Sequence, residues 1–158
     1  MELAIVDLDG VIANSDARFA QATANGKIDW RIALNGEHVH LDTLIEGSIQ
    51  ALIALEKRYT VVFLTSRPDS MRAATLEWFR VHNVALRRLE MKPSSAQYTK
   101  TKAWKAERVG KLAREYNASH IVLVEDEQAN IDEILAHNSA LSIDAYTSLN
   151  GAVTANLQ

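Results

Sequence analysis

Three apolar runs each end in residues able to do chemistry. Leu3-Ala4-Ile5-Val6 leads into Asp7-Leu8-Asp9-Gly10, Val61-Val62-Phe63-Leu64 into Thr65-Ser66-Arg67-Pro68, and Ile121-Val122-Leu123-Val124 into Glu125-Asp126-Glu127. Asp7 and Asp9, two apart at a strand end, fall on one side of the strand, so their carboxylates lie close together. Carboxylates that close repel, and without a cation one of them holds its proton more tightly. Glu125 and Asp126 sharpen the repulsion. A hard divalent cation held by carboxylate oxygens, Mg2+, relieves it. Helix capping would explain any one of these acids but not the set.

Lys105 is a second misplaced charge. It lies four residues before Val109, seven before Leu112 and eleven before Tyr116, on their apolar face. A lysine near a helix N-terminus also opposes the macrodipole. Both placements point to a partner among the carboxylates or to a phosphate, although a lysine can also snorkel out of an apolar face. Lys102, one turn earlier, is the rival. Thr65 and Ser66 offer hydroxyl and N–H donors, while Arg67 either anchors substrate or bonds a helix end.

The elements that would position these groups follow from pattern. The three apolar runs are β-branched and too short for helices, as strands buried on both faces are. Ala140-Leu141-Ser142-Ile143 is a fourth, weaker strand. Leu41, Ile45, Ile49 and Leu52 mark one helix stripe. Asp69 is placed to cap a helix carrying Met71, Leu76, Trp78 and Phe79. A third helix spans Thr101 to Tyr116, weakened but not broken by Gly110, and a fourth carries Ile131, Ile134 and Leu135. The stretch from Ser148 to Gln158 is weakly patterned and expected to dock loosely. Alternating strands and helices predict a three-layer, doubly wound α/β domain around a mostly parallel sheet. Ligands of such sheets bind beyond the carboxyl ends of the strands, where all three reactive segments converge.

Composition narrows the function classes. The 158 residues, 47% hydrophobic and 23% charged, suit one globular domain spanning 1–158. The absence of cysteine excludes thiolate zinc sites and cysteine nucleophiles. Met1-Glu2-Leu3 lacks a basic leader, and no apolar stretch approaches a membrane span, so a cytoplasmic protein without a membrane partner is expected. Residues 80–114 hold ten basic side chains (Arg80, Arg87, Arg88, Lys92, Lys100, Lys102, Lys105, Arg108, Lys111, Arg114) against Glu90 and Glu107. This +8 window suits an anionic partner or a solvated helix equally. Trp30 and Trp78 are expected in the core, and His38 and His40 on the surface.

In that order, the four segments resemble the motifs of the haloacid dehalogenase (HAD) superfamily of phosphohydrolases. Asp7-Leu8-Asp9-Gly10-Val11 is similar to its nucleophile motif, Leu64-Thr65-Ser66-Arg67 to the second, Lys105 to the basic third and Glu125-Asp126 to the acidic fourth. The resemblance implies that Asp7 attacks phosphorus to form an aspartyl-phosphate while Asp9 acts as general acid, then base. It also implies Mg2+ held by the carboxylates of Asp7 and Asp126 and the backbone carbonyl of Asp9, with Glu125 as the alternative ligand. Thr65 and Lys105 would hold the phosphoryl oxygens, with Ser66 and Arg67 toward substrate. Asp9, kept protonated by acidic neighbours, would supply the leaving-group proton.

The roughly 30 residues between Gly10 and Leu41 and the 37 between Arg67 and Lys105 leave no room for a large cap domain. Arg18-Phe19, Asp29-Trp30, Thr75-Leu76-Glu77-Trp78-Phe79 and Leu89-Glu90-Met91-Lys92 resemble the uncapped phosphatase domain of polynucleotide kinases. In that branch Gly commonly stands where this chain has Ser66. No Gly-rich loop ending in Lys-Ser/Thr provides a kinase half. The resemblance implies a phosphorylated substrate, either a polynucleotide 3′-phosphate end or a nucleotide. The alternatives are a small-molecule phosphatase such as a nucleotidase, or a non-catalytic module that binds nucleic acid.

Overall fold

The computed structural model describes residues 2–157; Met1 and Gln158 lie outside the described residues. The first apolar run forms β1 (Glu2–Val6). An excursion of short elements follows: β2 (Ala13–Asn14), α1 (Asp16–Ala22), the hairpin of β3 (Thr23–Ala24) and β4 (Lys27–Ile28), α2 (Trp30–Ala33), a 3₁₀ turn over Gly36–Leu41, and β5 (Thr43–Leu44). β5 pairs antiparallel with β2 and closes the excursion. Helix and strand then alternate through α3 (Ser48–Glu56), β6 (Thr60–Pro68), α4 (Arg72–Val81) and β7 (Arg88–Lys92). The chain continues with α5 (Thr101–Glu115), β8 (His120–Val124), α6 (Gln128–His137), β9 (Ile143–Tyr146) and α7 (Leu149–Asn156).

Five strands make one sheet in the order β7-β6-β1-β8-β9, every pairing parallel. The chain builds outward from β1 through β6 to β7, then crosses back to add β8 and β9. β1 therefore sits at the switch point where such sheets open a crevice. Alternation along the strands splits the core in two. Ala4, Val6, Phe63, Val122 and Val124 share one face with Leu52, Leu55, Phe79 and Leu149. Leu3, Ile5, Val62, Leu64, Ile121 and Leu123 share the other with Trp104, Val109, Leu112 and Ile134. The three-layer α/β architecture is as the alternation predicts, and among the described residues there is no large cap domain, as the short spacings between the motifs imply. Among the described residues no helix is long and apolar enough to cross a membrane.

Several local expectations need correction. The stripe from Leu41 to Leu52 is not one helix: α3 starts after Gly47, held at φ +80°, and the N–H of Ile45 bonds the carbonyl of Ile12. Asp69 opens a 3₁₀ turn (Asp69–Met71) instead of capping α4. The weak strand begins only at Ile143, because the N–H of Leu141 turns back onto Asn138. The C-terminal stretch is a docked helix, with the Ser148 hydroxyl accepting from the N–H of Gly151 and with Leu149 and Ala152 buried. Trp78 is buried as expected, whereas Trp30 is 57% exposed.

Candidate active site

The parallel ladder runs one residue past β1, the Asp7 N–H donating to Val124 at 2.9 Å, so Asp7 is held at the tip of the central strand. Its Oδ1 accepts from the N–H of Leu8 at 2.8 Å. The chain then doubles back, with the N–H groups of Val11, Ile12 and Ala13 converging on the Leu8 carbonyl. Gly10 makes this possible at φ +80°, a conformation that disfavours side chains. A Cβ there would lie 1.9 Å from Asp126 Oδ2, so the absent side chain makes room for a carboxylate.

Lys105 comes up from α5, only 2% exposed, and places Nζ 2.9 Å from Asp7 Oδ2 and 2.5 Å from Glu125 Oε2. Burial pushes this ammonium toward its neutral form, but Asp7 and Glu125 outweigh it and hold the pKa above the ordinary lysine value. Lys102 is exposed, so Lys105 is the lysine at the site. Burial pushes Asp7 well up; Lys105 opposes that shift, and Glu125 and Asp9 add to it. Glu125 has both oxygens engaged, one by Lys105 and one by the N–H of Glu127 at 3.1 Å. Asp126 has no cationic partner among the described residues and is pushed up to about 6 by burial and then by Glu125.

Carboxylate oxygens of Asp7, Glu125 and Asp126 lie within 4.8 Å of one another. Three carboxylates against one ammonium leave two negative charges in excess, which one divalent cation would balance. The donors are all hard oxygens, so the set fits Mg2+.

Asp9 faces the other way. Arg67 donates to it from Nε at 3.0 Å and Nη2 at 2.6 Å, Arg18 from Nη2 at 2.8 Å, and the Ser15 hydroxyl also donates to it. Burial raises its pKa, but the two guanidiniums overcome that and lower it to about 2. The expectation that acidic neighbours keep Asp9 protonated is therefore corrected: its neighbours are arginines, and it rests ionised. Asp42, with no exposed side chain, bridges the same two arginines at 2.8 and 2.9 Å. Arg67 also bonds Thr75 Oγ1 at 3.1 Å, and Arg18 bonds the Ala33 carbonyl at 2.6 Å. Arg67 is thus occupied by Asp9, Asp42 and Thr75. Thr65 is buried and accepts from the N–H of Arg67 at 3.2 Å, while Ser66 lines the cleft.

Sequence reasoning gave no role to Asp42 or Ser15, quoted Arg18 only within the resemblance, and met Lys92 only in the basic window and the resemblance. The usable signal was a charge on a buried helix face, for Arg18 shares its face of α1 with buried Ala22. The cleft above these groups measures about 870 Å³.

No protein-family model and no curated protein matches the chain. Solved structures do. A chain of the Pnkp1/Rnl/Hen1 complex superposes with TM-score 0.61 at 18% identity over 92% of this chain, which spans 45% of that chain's length. A HAD-superfamily hydrolase from Geobacter sulfurreducens matches with TM-score 0.63 at 19% identity, covering 94% of this chain and 88% of its own. This is the haloacid dehalogenase fold. A haloacid dehalogenase-like hydrolase from Streptococcus pneumoniae also has it, with TM-score 0.62 at 12% identity over 99% of this chain and 98% of its own. Within that fold, the excursion from β2 to β5 contributes Asn14, Ser15, Phe19, Trp30 and Leu34 to the lining of the cleft.

Proposed function

We propose that the protein is a Mg2+-dependent phosphomonoesterase working through an aspartyl-phosphate on Asp7. The carrying observation is the placement of Asp7 at the tip of the central strand, 2.9 Å from a buried lysine and within 4.8 Å of two further carboxylates. Asp7 and Asp126 would hold the ion together with the backbone carbonyl of Asp9, while Glu125 fixes Lys105. A bound Mg2+ supplies charge that offsets the repulsion between a carboxylate nucleophile and phosphoryl oxygens.

The chain's own residues do the rest. A carboxylate oxygen of Asp7 forms a bond to phosphorus as the bond from phosphorus to the leaving oxygen breaks. Lys105 stabilises the charge on the equatorial oxygens, with the hydroxyls of Thr65 and Ser66 beside them. Asp9, ionised at rest, binds a proton once the phosphate dianion arrives, since a like charge raises a carboxyl pKa. That proton goes to the leaving oxygen. Water then attacks phosphorus, the Asp7–phosphorus bond breaks, and the water's proton returns to Asp9.

The substrate reading extends to polynucleotide 3′-phosphate ends, supported by the likeness to a chain of a complex described as an RNA repair complex. The +8 window adds little to it. Six of its ten cations are paired: Arg80 with Glu77, Arg87 with Glu56, Arg88 and Arg108 with Glu90 and Glu115, Lys111 with Glu107, and Lys105 within the site. The test is phosphate release from a 3′-phosphorylated oligonucleotide, a 5′-phosphorylated one, mononucleotides and an aryl phosphate, in Mg2+ and in EDTA. Release that needs Mg2+ and disappears in Asp7→Asn is the expected result. Undiminished release in EDTA or in that variant would overturn the mechanism. Preference among the esters would decide between an end-healing enzyme and a nucleotidase, and tight oligonucleotide binding without turnover would mark a non-catalytic module.

A further inference from the structure

Trp30 is the one tryptophan of three that stands open: it is 57% exposed, against 3% for Trp78 and 7% for Trp104. It also lines the cleft that contains Asp7, Lys105 and Asp126. A large apolar ring left in solvent at the wall of a functional cleft needs a reason, because folding alone would bury it.

Its backbone is tied at both ends of α2. Asp29 caps α2 by accepting from the N–H of Arg31 at 2.9 Å, and the Asp29 N–H bonds the Ala22 carbonyl at 2.8 Å. At the other end of α2, the Ala33 carbonyl accepts from Arg18, the residue that also holds Asp9. Phe19 meets the indole edge-on, ring centres 6.1 Å apart at 81°, and so fixes its tilt. The ring is thus tied to the reacting end of the site through one buried side chain. Leu34 and Ile45 continue the same apolar wall.

The cleft also contains Lys92, Ser94, Gln97 and Thr101. Lys92 donates to the Thr99 carbonyl and has no carboxylate partner among the described residues. About 870 Å³ is far more than a phosphoryl group fills and falls in the range of sites for small organic ligands, roughly 300–1,000 Å³. A leaving group fitting this space has a flat face for the indole, polar edges for the amide and hydroxyls, and room for negative charge near Lys92.

We propose that Trp30 is a stacking platform for a nucleobase and that the phosphate ester taken at Asp7 is a nucleotide, free or at the end of a strand. The inference rests on the phosphohydrolase reading of Asp7 and adds the residue that would hold the base. Base stacking is sequence-tolerant, so Trp30 selects nucleotides over other phosphate esters without selecting among bases.

Tryptophan fluorescence tests the platform without turnover. In the Asp7→Asn protein with Mg2+, adenosine 3′-monophosphate should quench the exposed indole saturably and protect it from acrylamide, while glycerol 2-phosphate does neither. In steady-state assays Trp30→Ala should raise KM for the nucleotide roughly tenfold, leave kcat within roughly twofold, and leave glycerol 2-phosphate unaffected; Trp30→Phe should recover most of the loss. Absence of quenching and protection by the nucleotide would overturn the platform, and so would a KM rise shared equally by both esters. If phosphate is released normally but no quenching occurs, the platform fails while the phosphohydrolase reading stands. If quenching occurs but no ester is hydrolysed, the platform stands and the phosphohydrolase reading fails.

Discussion

Lys105 stands between two buried carboxylates, so its replacement tests folding and chemistry together. Lys105→Met would leave Asp7 and Glu125 buried with no cation, and removing one partner of a buried ion pair typically destabilises by about 3–5 kcal/mol. Urea unfolding should show a loss of that order, and phosphate release should vanish. Gly10→Ala acts on the other side of the site. The new Cβ would collide with Asp126 Oδ2 and sit at φ +80°, so the carboxylate must move. We expect the Mg2+ concentration for half-maximal activity to rise at least several-fold, read from a metal titration; an unchanged titration would remove Asp126 from the metal site. Trp30→Ala belongs at this scale as well, because it should change substrate preference and leave the chemistry intact.

At the scale of elements, α7 should be structural despite its plain sequence. Leu149 is 4% exposed in the face of the core beneath α3, and Leu149→Ala should cost about 2–4 kcal/mol, measured by thermal or chemical unfolding with activity per folded molecule retained. What the sequence disclosed follows from where each element lies. β1, β6 and β8 are covered on both faces and read as unbroken apolar runs. β7 is an edge strand whose Arg88 and Glu90 pair with each other and with residues of α5, so its pattern is half charged. α7 packs through only Leu149, Ala152 and Val153, too few apolar residues to read as a stripe. Asp7, Lys105 and the Glu125-Asp126 pair were legible because each is a charge where a buried strand end or apolar helix face should have none. Asp42 was not: it meets Arg18 across 24 residues of irregular chain, a pairing that exists only after the excursion folds. Trp30 departs from the burial habit of tryptophan, and its place at the cleft wall exists only once the excursion has folded.

Over the whole molecule, the site opposes the fold. Asp9 has a pKa depressed from 3.8 to about 2, so the stability it contributes is present above pH 3.8 and lost as pH falls toward 2. Asp126 is raised from 3.8 to about 6, and its ionisation therefore destabilises the folded state as pH rises through that window; Asp7 acts in the same direction. In the metal-free protein the ionisation of Asp126 should cost melting temperature as pH rises from about 4 to 6, and Asp126→Asn should remove that contribution. Mg2+ should restore the difference above pH 6, because an ion bound only by the folded state stabilises it by mass action. Melting curves in EDTA and in Mg2+ across pH 3–8 would check both signs. The measurement that tests the central claim most directly is mass spectrometry of the acid-quenched protein during turnover of an aryl phosphate with Mg2+. The account predicts an added phosphoryl group on the peptide carrying Asp7, labile to hydroxylamine and missing from Asp7→Asn and from EDTA controls. Steady turnover with the adduct on another residue, or turnover retained in Asp7→Asn, would contradict it.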